Sequence, residues 1–325
     1  MALARRALLQ LAAATAALPA ISGIAMAQTY PAQPVRFLVG FPAGGPNDIL
    51  GRLMAGWLSD RLGQPFAVEN RPGRSGNIAT EAVVRAAPDG TTLLLAGPAN
   101  AISGSLYGNL PFNFPRDIAP VAGITREALV MVVHPSVPAH TVPEFIAYAK
   151  ANPGKVTVAS TGNGSSPHVT GELFKLTANL PLPVVHYGGG GPALKAMIEG
   201  QAQIMFEPMS ASIAPVRSGK LRALAVTTTT RSAALPDVPV LADSVPGYEA
   251  SAVTGIGVPM GTPAALIETL NRAVNAAFAD PAMRAKLLDT GGEPLPGSAA
   301  EFGRLLAAET EKWGKVVRQA KITAD

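Results

Sequence analysis

The sequence predicts an α/β protein built from two domains, with mixed, mostly parallel sheets. Apolar runs of strand length alternate with segments of helical period, the pattern of strand–crossover–strand units. The chain of 325 residues is longer than one hydrophobic core supports, about 250–300 residues. Two apolar strand runs, 129–133 and 253–258, bracket a middle block. That layout makes 28–128 the first part of domain 1, 129–252 an inserted domain 2, and 253–325 the return to domain 1. The two strand runs would be the segments of the hinge.

The elements follow in order. Residues 35–41 are an apolar strand run. Ile49, Leu50, Leu53, Met54, Trp57, Leu58 and Leu62 share one helical face, and Gly63 stops that helix. Residues 66–69 read as a strand, 78–86 as a helix, Pro88-Asp89-Gly90 as a turn, and 91–96 as a strand. Thr141 and Glu144 have capping-box spacing and open a helix to about residue 151. A strand at 156–159 precedes a helix marked by Val169, Leu173 and Phe174. Segments 184–186, 193–199, 203–206 and 221–227 continue the alternation, and the Pro-rich stretch 235–247 is an extended connector. The last third is helical at 264–279, 281–289 and 298–320, where Ser298 and Glu301 repeat the capping-box spacing.

Composition narrows the function. The absence of Cys removes disulfide scaffolds, Cys-ligated metal sites and thiol catalysis. The net charge of +4 is spread along the chain, which is not a nucleic-acid footprint. Arg5 and Arg6 precede an apolar stretch of small residues, and Ala25-Met26-Ala27 is an A-x-A cleavage signal. Residues 1–27 therefore read as a cleavable signal peptide, of the twin-arginine or Sec type. Cleavage removes both arginines and takes the formal charge from +4 to +2. The expected product is an exported protein, taken to be a monomer.

Several chemistries lack their motif. Neither Ser75 nor Ser166 stands in a G-x-S-x-G elbow. No phosphate-binding G-x-x-x-x-G-K-[ST] occurs, and Pro167 interrupts the dinucleotide pattern begun by Gly162-Asn163-Gly164. His134, His140, His168 and His186 show no metal-ligand spacing. No metal or cofactor is expected.

What the chain does carry is bare backbone. Gly40-Phe41-Pro42-Ala43-Gly44-Gly45-Pro46-Asn47-Asp48 joins the first strand to the first helix. Glycines leave N–H groups uncovered, and a helix N-terminus adds orphan donors and a positive dipole end. Together they can hold an anion without a basic side chain. The segment reads equally well as a tight turn with Asn47 as helix cap. Ser160-Thr161-Gly162-Asn163-Gly164-Ser165-Ser166-Pro167-His168 repeats the design in the middle block, with Ser166 as its expected cap and Pro167 in the first turn. Tyr187-Gly188-Gly189-Gly190-Gly191-Pro192 is a third loop of the same kind. Two opposed loops, one per domain, suggest jaws closing on one anionic ligand.

An ordered series of motifs resembles the tripartite tricarboxylate transporter substrate-binding family, the Bug or TctC-type receptors. It comprises Phe41-Pro42-x-Gly44-Gly45-Pro46-x-Asp48, Val68-Glu69-Asn70-Arg71-Pro72-Gly73-x-x-Gly76, Pro88-Asp89-Gly90-x-Thr92-Leu93-Leu94 and Arg116-Asp117-Ile118-Ala119-Pro120-Val121. It continues with Gly162-x-Gly164-Ser165-x-x-His168, Gly219-Lys220-Leu221-Arg222-Ala223-Leu224-Ala225, Leu235-Pro236-Asp237-Val238-Pro239 and Pro259-x-Gly261-Thr262-Pro263. The resemblance implies a type II periplasmic binding protein fold that closes by a hinge. It implies capture of a small organic carboxylate by backbone amides and delivery to the membrane components of a tripartite transporter. The ligand would be a di- or tricarboxylate, an aromatic carboxylate or an acidic amino acid. On that pattern Phe41, Ala43, Gly44, Gly45, Pro46, Asn47 and Asp48 form one jaw. Thr161, Gly162, Asn163, Gly164, Ser165, Ser166 and His168 form the other. Ala99, Asn100, Tyr187, Gly188 and Glu207 line the pocket. His186-Tyr187-Gly188-Gly189 departs from the family's Pro-Tyr-Lys-Gly, which bears on ligand identity. Two other functions share these residues: a sensor subunit presenting its ligand to a membrane kinase, and an exported hydrolase with Asp48 or Glu207 as general base.

Overall fold

The computed structural model describes residues 30–324; the expected signal peptide lies outside them. Strand β1 (Val35–Val39) pairs in parallel with β2 (Phe66–Asn70) and β3 (Thr92–Ala96). The centre is antiparallel. β4 (Ile118–Val133) is a single strand of 16 residues. Residues 118–128 of β4 pair with β9 (Ser251–Pro259), which also borders β3. Residues 129–133 pair with β7 (Ile204–Pro208) and β8 (Arg222–Val226). From β7 the sheet runs on in parallel through β5 (Val158–Ser160) to β6 (Val184–His186). The short β10 (Gly292–Pro294) pairs with β4 near Arg126. The sheet is thus mixed: parallel in its two flanks, antiparallel where β4 and β9 join them.

The helices between strands are α1 (Pro46–Leu62), α2 (Asn77–Val84), α3 (Pro98–Leu106), α4 (Phe114–Asp117), α5 (Val142–Ala151) and α6 (Ser166–Ala178). They continue as α7 (Gly190–Ile198), α8 (Met209–Arg217), α9 (Ala264–Ala279), α10 (Pro281–Asp289) and α11 (Ala299–Gln319). Several boundaries have a local cause. Gly63 closes α1 at φ 76°, returning its N–H to the Ser59 carbonyl. Thr141 caps α5, but Glu144 reaches the His140 N–H instead of completing the box. Ser298 and Glu301 do form the reciprocal box.

Burial follows strand alternation. Phe37 faces Met54, Leu58 and Val274 on one side of β1, while Leu38 faces Leu94 and Phe302 on the other. Each such fully buried side chain stabilises the fold by about 1.5–3 kcal/mol. At the far flank Met131, Phe145, Phe174, Phe206 and Tyr248 cluster on one face of the sheet, and Val130, Met197, Met205 and Met209 on the other. α11 serves both flanks: Phe302 and Leu306 pack with the β1–β3 side, whereas Trp313, Val316 and Val317 pack with the Phe145–Phe206 cluster.

Four elements were not anticipated: α3, α4, α8 and β10. β4 also begins eleven residues earlier than the apolar run 129–133. Its first half contains Pro120 and Gly123, and its register shifts twice there, so no simple apolar alternation marks it. Bulges of this kind add a residue and break the period of two.

Candidate functional site

The three glycine-rich loops leave the carboxyl ends of β1, β5 and β6. That is where α/β sheets place ligands.

In the first loop the N-cap of α1 is Gly45, not Asn47; Pro46 opens the helix and the Ile49 N–H reaches the Gly45 carbonyl at 3.0 Å. Asn47 and Asp48 lie in the first turn, where backbone N–H groups have no helical acceptor. The Asp48 side chain is turned inward, 3% exposed. Its Oδ2 accepts from the Gly44 N–H at 2.8 Å and from Arg52 Nε at 2.9 Å, and its Oδ1 accepts from Asn70 Nδ2 at 2.9 Å. Asn70 Nδ2 also donates to the Phe41 carbonyl at 3.0 Å. The Arg52 hydrogen bond, with help from Gly44 and Asn70, holds the Asp48 carboxyl down at about 2. Asp48 is therefore a brace for the loop, ionised and fully engaged. Ala43, Gly44 and Pro46 remain exposed, and Gly45 and Asn47 half-buried.

The second loop is braced in a parallel way. Ser165 caps α6 by accepting from the His168 N–H at 3.3 Å; Ser166 is the first helical residue, and its hydroxyl is enclosed with no partner. The cap is thus one residue earlier than expected. Ser160 Oγ accepts from the Gly162 N–H at 3.1 Å and donates to the Gly162 carbonyl at 2.9 Å. His168, 4% exposed, accepts from the Gly164 N–H at Nδ1, 3.0 Å. A neutral imidazole accepting at Nδ1 carries its proton on Nε2, which faces Glu172 at 3.7 Å. His168 thus holds the loop from behind. Asn163 reaches the Thr323 carbonyl near the C-terminus. Thr161 is half-buried in the turn.

Asn100 is likewise committed: Oδ1 accepts from the Gly97 N–H and Nδ2 donates to Thr80 Oγ1, both at 2.8 Å. Ala99 beside it is half-buried at the start of α3. In the third loop the Tyr187 N–H pairs with the Ser160 carbonyl at 2.9 Å, and Gly188 is exposed.

A run of close approaches links these loops. A Cβ on Gly40 would lie 2.6 Å from Gly76 Cα, so the first loop touches the turn after β2 backbone to backbone. In that turn Arg74 and Ser75 both hold left-handed conformations, φ 47° and 54°. Ser75 Oγ lies 3.2 Å from Tyr107 Oη, and the Arg74 guanidinium sits 5.8 Å from the Tyr107 ring centroid. The neighbouring Leu106 presses on Gly164 of the second loop, and a Cβ on Gly162 would meet the Tyr187 carbonyl at 3.8 Å. A Cβ on Gly190 would lie 3.9 Å from Glu207 Oε1. The sequence did not single out the turn 71–76 and Tyr107 as neighbours of the candidate loops, although Gly73-x-x-Gly76 directly after a strand was visible.

Residues 50–322 match the model of the Tripartite tricarboxylate transporter family receptor. The chain belongs to this receptor family. It is 36% identical to the protein BugT of Bordetella pertussis over 306 residues, 92% of this chain and 94% of that one. The fold matches that of Rpa4515 of Rhodopseudomonas palustris, solved with adipate, at TM-score 0.82 and 33% identity, covering 91% of this chain and all of that one. It matches MatC of the same organism, solved with malate, at TM-score 0.77 and 30% identity, covering 89% and 100%. The periplasmic binding protein BugD gives 0.78 at 28% identity, with 91% of this chain covered. The α/β periplasmic binding protein fold is thereby established.

Members of a transport receptor family are binding proteins, not enzymes, which removes the hydrolase reading. The braced geometry of Asp48 agrees with that. Among the described residues no helix is long and apolar enough to cross a membrane, and no group of His, Cys, Asp and Glu side chains could hold a metal ion. Glu207 stands apart from the other candidate residues. It is 3% exposed, and its Oε2 is enclosed without a partner. Burial, reinforced by Glu127, raises its carboxyl to about 8.

Proposed function

We propose that this receptor captures a small organic carboxylate between the loops at 41–48, 161–166 and 187–190, and delivers it to the membrane components of a tripartite transporter. The observation that carries the reading is the linked set of bare-backbone turns, Gly40 on Gly76, Leu106 on Gly164 and Gly162 beside Tyr187. Asp48, His168 and Asn100 are committed to bracing backbone, so an anion between the loops would be met chiefly by backbone amides, with the exposed Arg74 of the adjoining turn as the nearby cation. Adipate and malate, bound to two relatives, are anions of the class such a site suits. In this reading residues 1–27 direct export and are cleaved. The segments 28–128 and 253–325 form one jaw, 129–252 form the other, and β4 and β9 join them.

The test is calorimetric titration of the purified protein with mono-, di- and tricarboxylates and acidic amino acids. Mass spectrometry of any ligand retained through purification accompanies it. Micromolar or tighter binding of at least one carboxylate is expected. No binding across the set and no retained ligand would remove the reading.

A further inference from the structure

We propose that Glu207 selects the charge of the ligand: as a neutral carboxylic acid it donates an O–H hydrogen bond to a ligand carboxylate held at the N-terminus of α7. The proposal rests on the carboxylate-receptor reading and adds to it a residue that fixes the sign of the bound group.

Three observations carry it. Glu207 is almost wholly buried near the end of β7, and Oε2 has no hydrogen-bond partner. A buried carboxylate without partners is far costlier than the neutral acid. Its other oxygen, Oε1, faces the first turn of α7, 3.9 Å from where a Gly190 Cβ would stand. α7 opens with Gly189 as cap, then Gly190 and Gly191, so its orphan N–H groups are uncovered. Amides and the dipole there favour an anion. A neutral acid beside them adds a donor, whereas an ionised one would repel the ligand.

The charges around Glu207 favour the neutral form. On β4, Glu127 raises it further; Glu127 Oε1 accepts from Ser210 N–H and Oγ at 3.1 and 2.7 Å. Arg126 on β4 makes no charge contact with Glu207. His168, Glu172 and Lys175 belong to α6, which packs on the Phe206 face of the sheet, and Glu172 is bound by Lys175 at 2.7 Å. Lys195 of α7 pairs with Glu199 in solvent, and Arg217 of α8 reaches the Ala234 carbonyl. Among the described residues no cation therefore offsets the burial, and the group rests at about 8. Below that pH the acid is ready to donate. Above it, each carboxylate bound must draw one proton from solution onto Glu207. A ligand ammonium at the same place would instead require Glu207 to lose its proton.

The experiment titrates the wild type, Glu207→Gln and Glu207→Ala with adipate and malate, and with putrescine as the cationic probe. Titrations span about pH 6 to 10, in buffers of different ionisation enthalpy. Wild-type affinity for the carboxylate should fall about tenfold per pH unit above about pH 8, with proton uptake on binding. Gln keeps a donor but does not titrate, so its profile should be flat, and Ala should lose more affinity than Gln. Putrescine should not bind below pH 8. A flat wild-type profile, equal losses in Gln and Ala, or binding of the diamine in place of carboxylates overturns the proposal.

A ligand-free arm compares melting of the wild type and Glu207→Gln across pH. A carboxyl raised in the folded state loses its protein stability as pH rises from its ordinary 4.5 to about 8 and is level above. A wild-type-to-Gln difference that does not change over this range overturns the neutral Glu207. Should no carboxylate bind while this difference appears, the receptor reading and the ligand bond fall but the proton on Glu207 stands.

Discussion

At the scale of residues, the acidic and imidazole groups of the first two loops shape the backbone. Asp48 spends both oxygens on Gly44, Arg52 and Asn70. Asp48→Ala leaves the Gly44 and Asn70 donors without that acceptor, a loss of about 1–3 kcal/mol of stability where such groups stay buried, and it should weaken ligand binding by loosening the loop. The sign with pH follows from its depressed carboxyl. The Asp48 contribution is full above its ordinary 3.8 and disappears as pH falls through about 2. Melting of the wild type and Asp48→Asn from neutral to acidic pH should therefore converge only at the acid end. Gly45 supplies the complementary case. Its φ of −81° suits any residue, and a Cβ there would meet only the Pro42 carbonyl at 3.4 Å. Gly45→Val should melt near the wild type, within about 1 kcal/mol, yet lower ligand affinity at least about tenfold by covering the amides. Unchanged affinity in calorimetry would take the first loop out of the site. The residue types at both loops were legible in the sequence; the partners that occupy Asp48, His168 and Asn100 were not. Asn70 and Thr80 lie in separate stretches that no local spacing marks; Gly44, Arg52, Gly97 and Gly164 stand only three or four residues away, but spacing alone does not say that these side chains turn back onto the loop.

At the scale of elements, the loops are held by helix ends and by contacts only glycine permits. Gly164 has φ 69° and lies under the Leu106 side chain, so Gly164→Ala meets both a strained backbone and an occupied space. It should cost about 2–4 kcal/mol. Gly44 has φ 79° but open space around it, so Gly44→Ala should cost only about 1–2 kcal/mol. Denaturant midpoints of the two variants give the comparison directly. Element reading from the sequence did well where apolar period and a cap coincide: 264–279 and 281–289 were expected at the bounds observed. It failed where small residues remove the apolar face. α3 is built from Pro98, Ala99, Asn100, Ser103 and Gly104, and α8 contains Pro215. α3 is held as much by its Asn100 bonds to Gly97 and Thr80 as by burial of Ala101, Ile102 and Leu106.

At the scale of the whole molecule, the receptor reading calls for two jaws that approach on binding. Saturating ligand should reduce the radius of gyration in small-angle scattering. At about 100 times Kd it should add about 2.7 kcal/mol of stability. A ligand that stabilises without compaction would locate binding on one jaw alone. The α/β layout was legible from strand–helix alternation, and so was the 129–133 end of the central strand; its residues 118–128 were not. The low net charge now has a physical counterpart, because the candidate loops themselves offer an anion backbone donors, with Arg74 the exposed cation of the turn beside them.

β4 has a further consequence for how the protein comes apart. Its residues 118–128 belong to one set of pairings and 129–133 to the other, and α11 packs into both flanks. Neither flank can melt alone without stripping a strand and part of a helix from its neighbour, so unfolding should be one cooperative event. The two tryptophans stand as reporters of the two flanks. Trp57 donates to the Ala273 carbonyl at 2.8 Å on the β1 side, and Trp313 is buried against the Phe145–Phe206 cluster. Single-tryptophan variants, each Trp→Phe in turn, should give coincident denaturant transitions. Two separated midpoints would mean that the shared strand yields before either flank does.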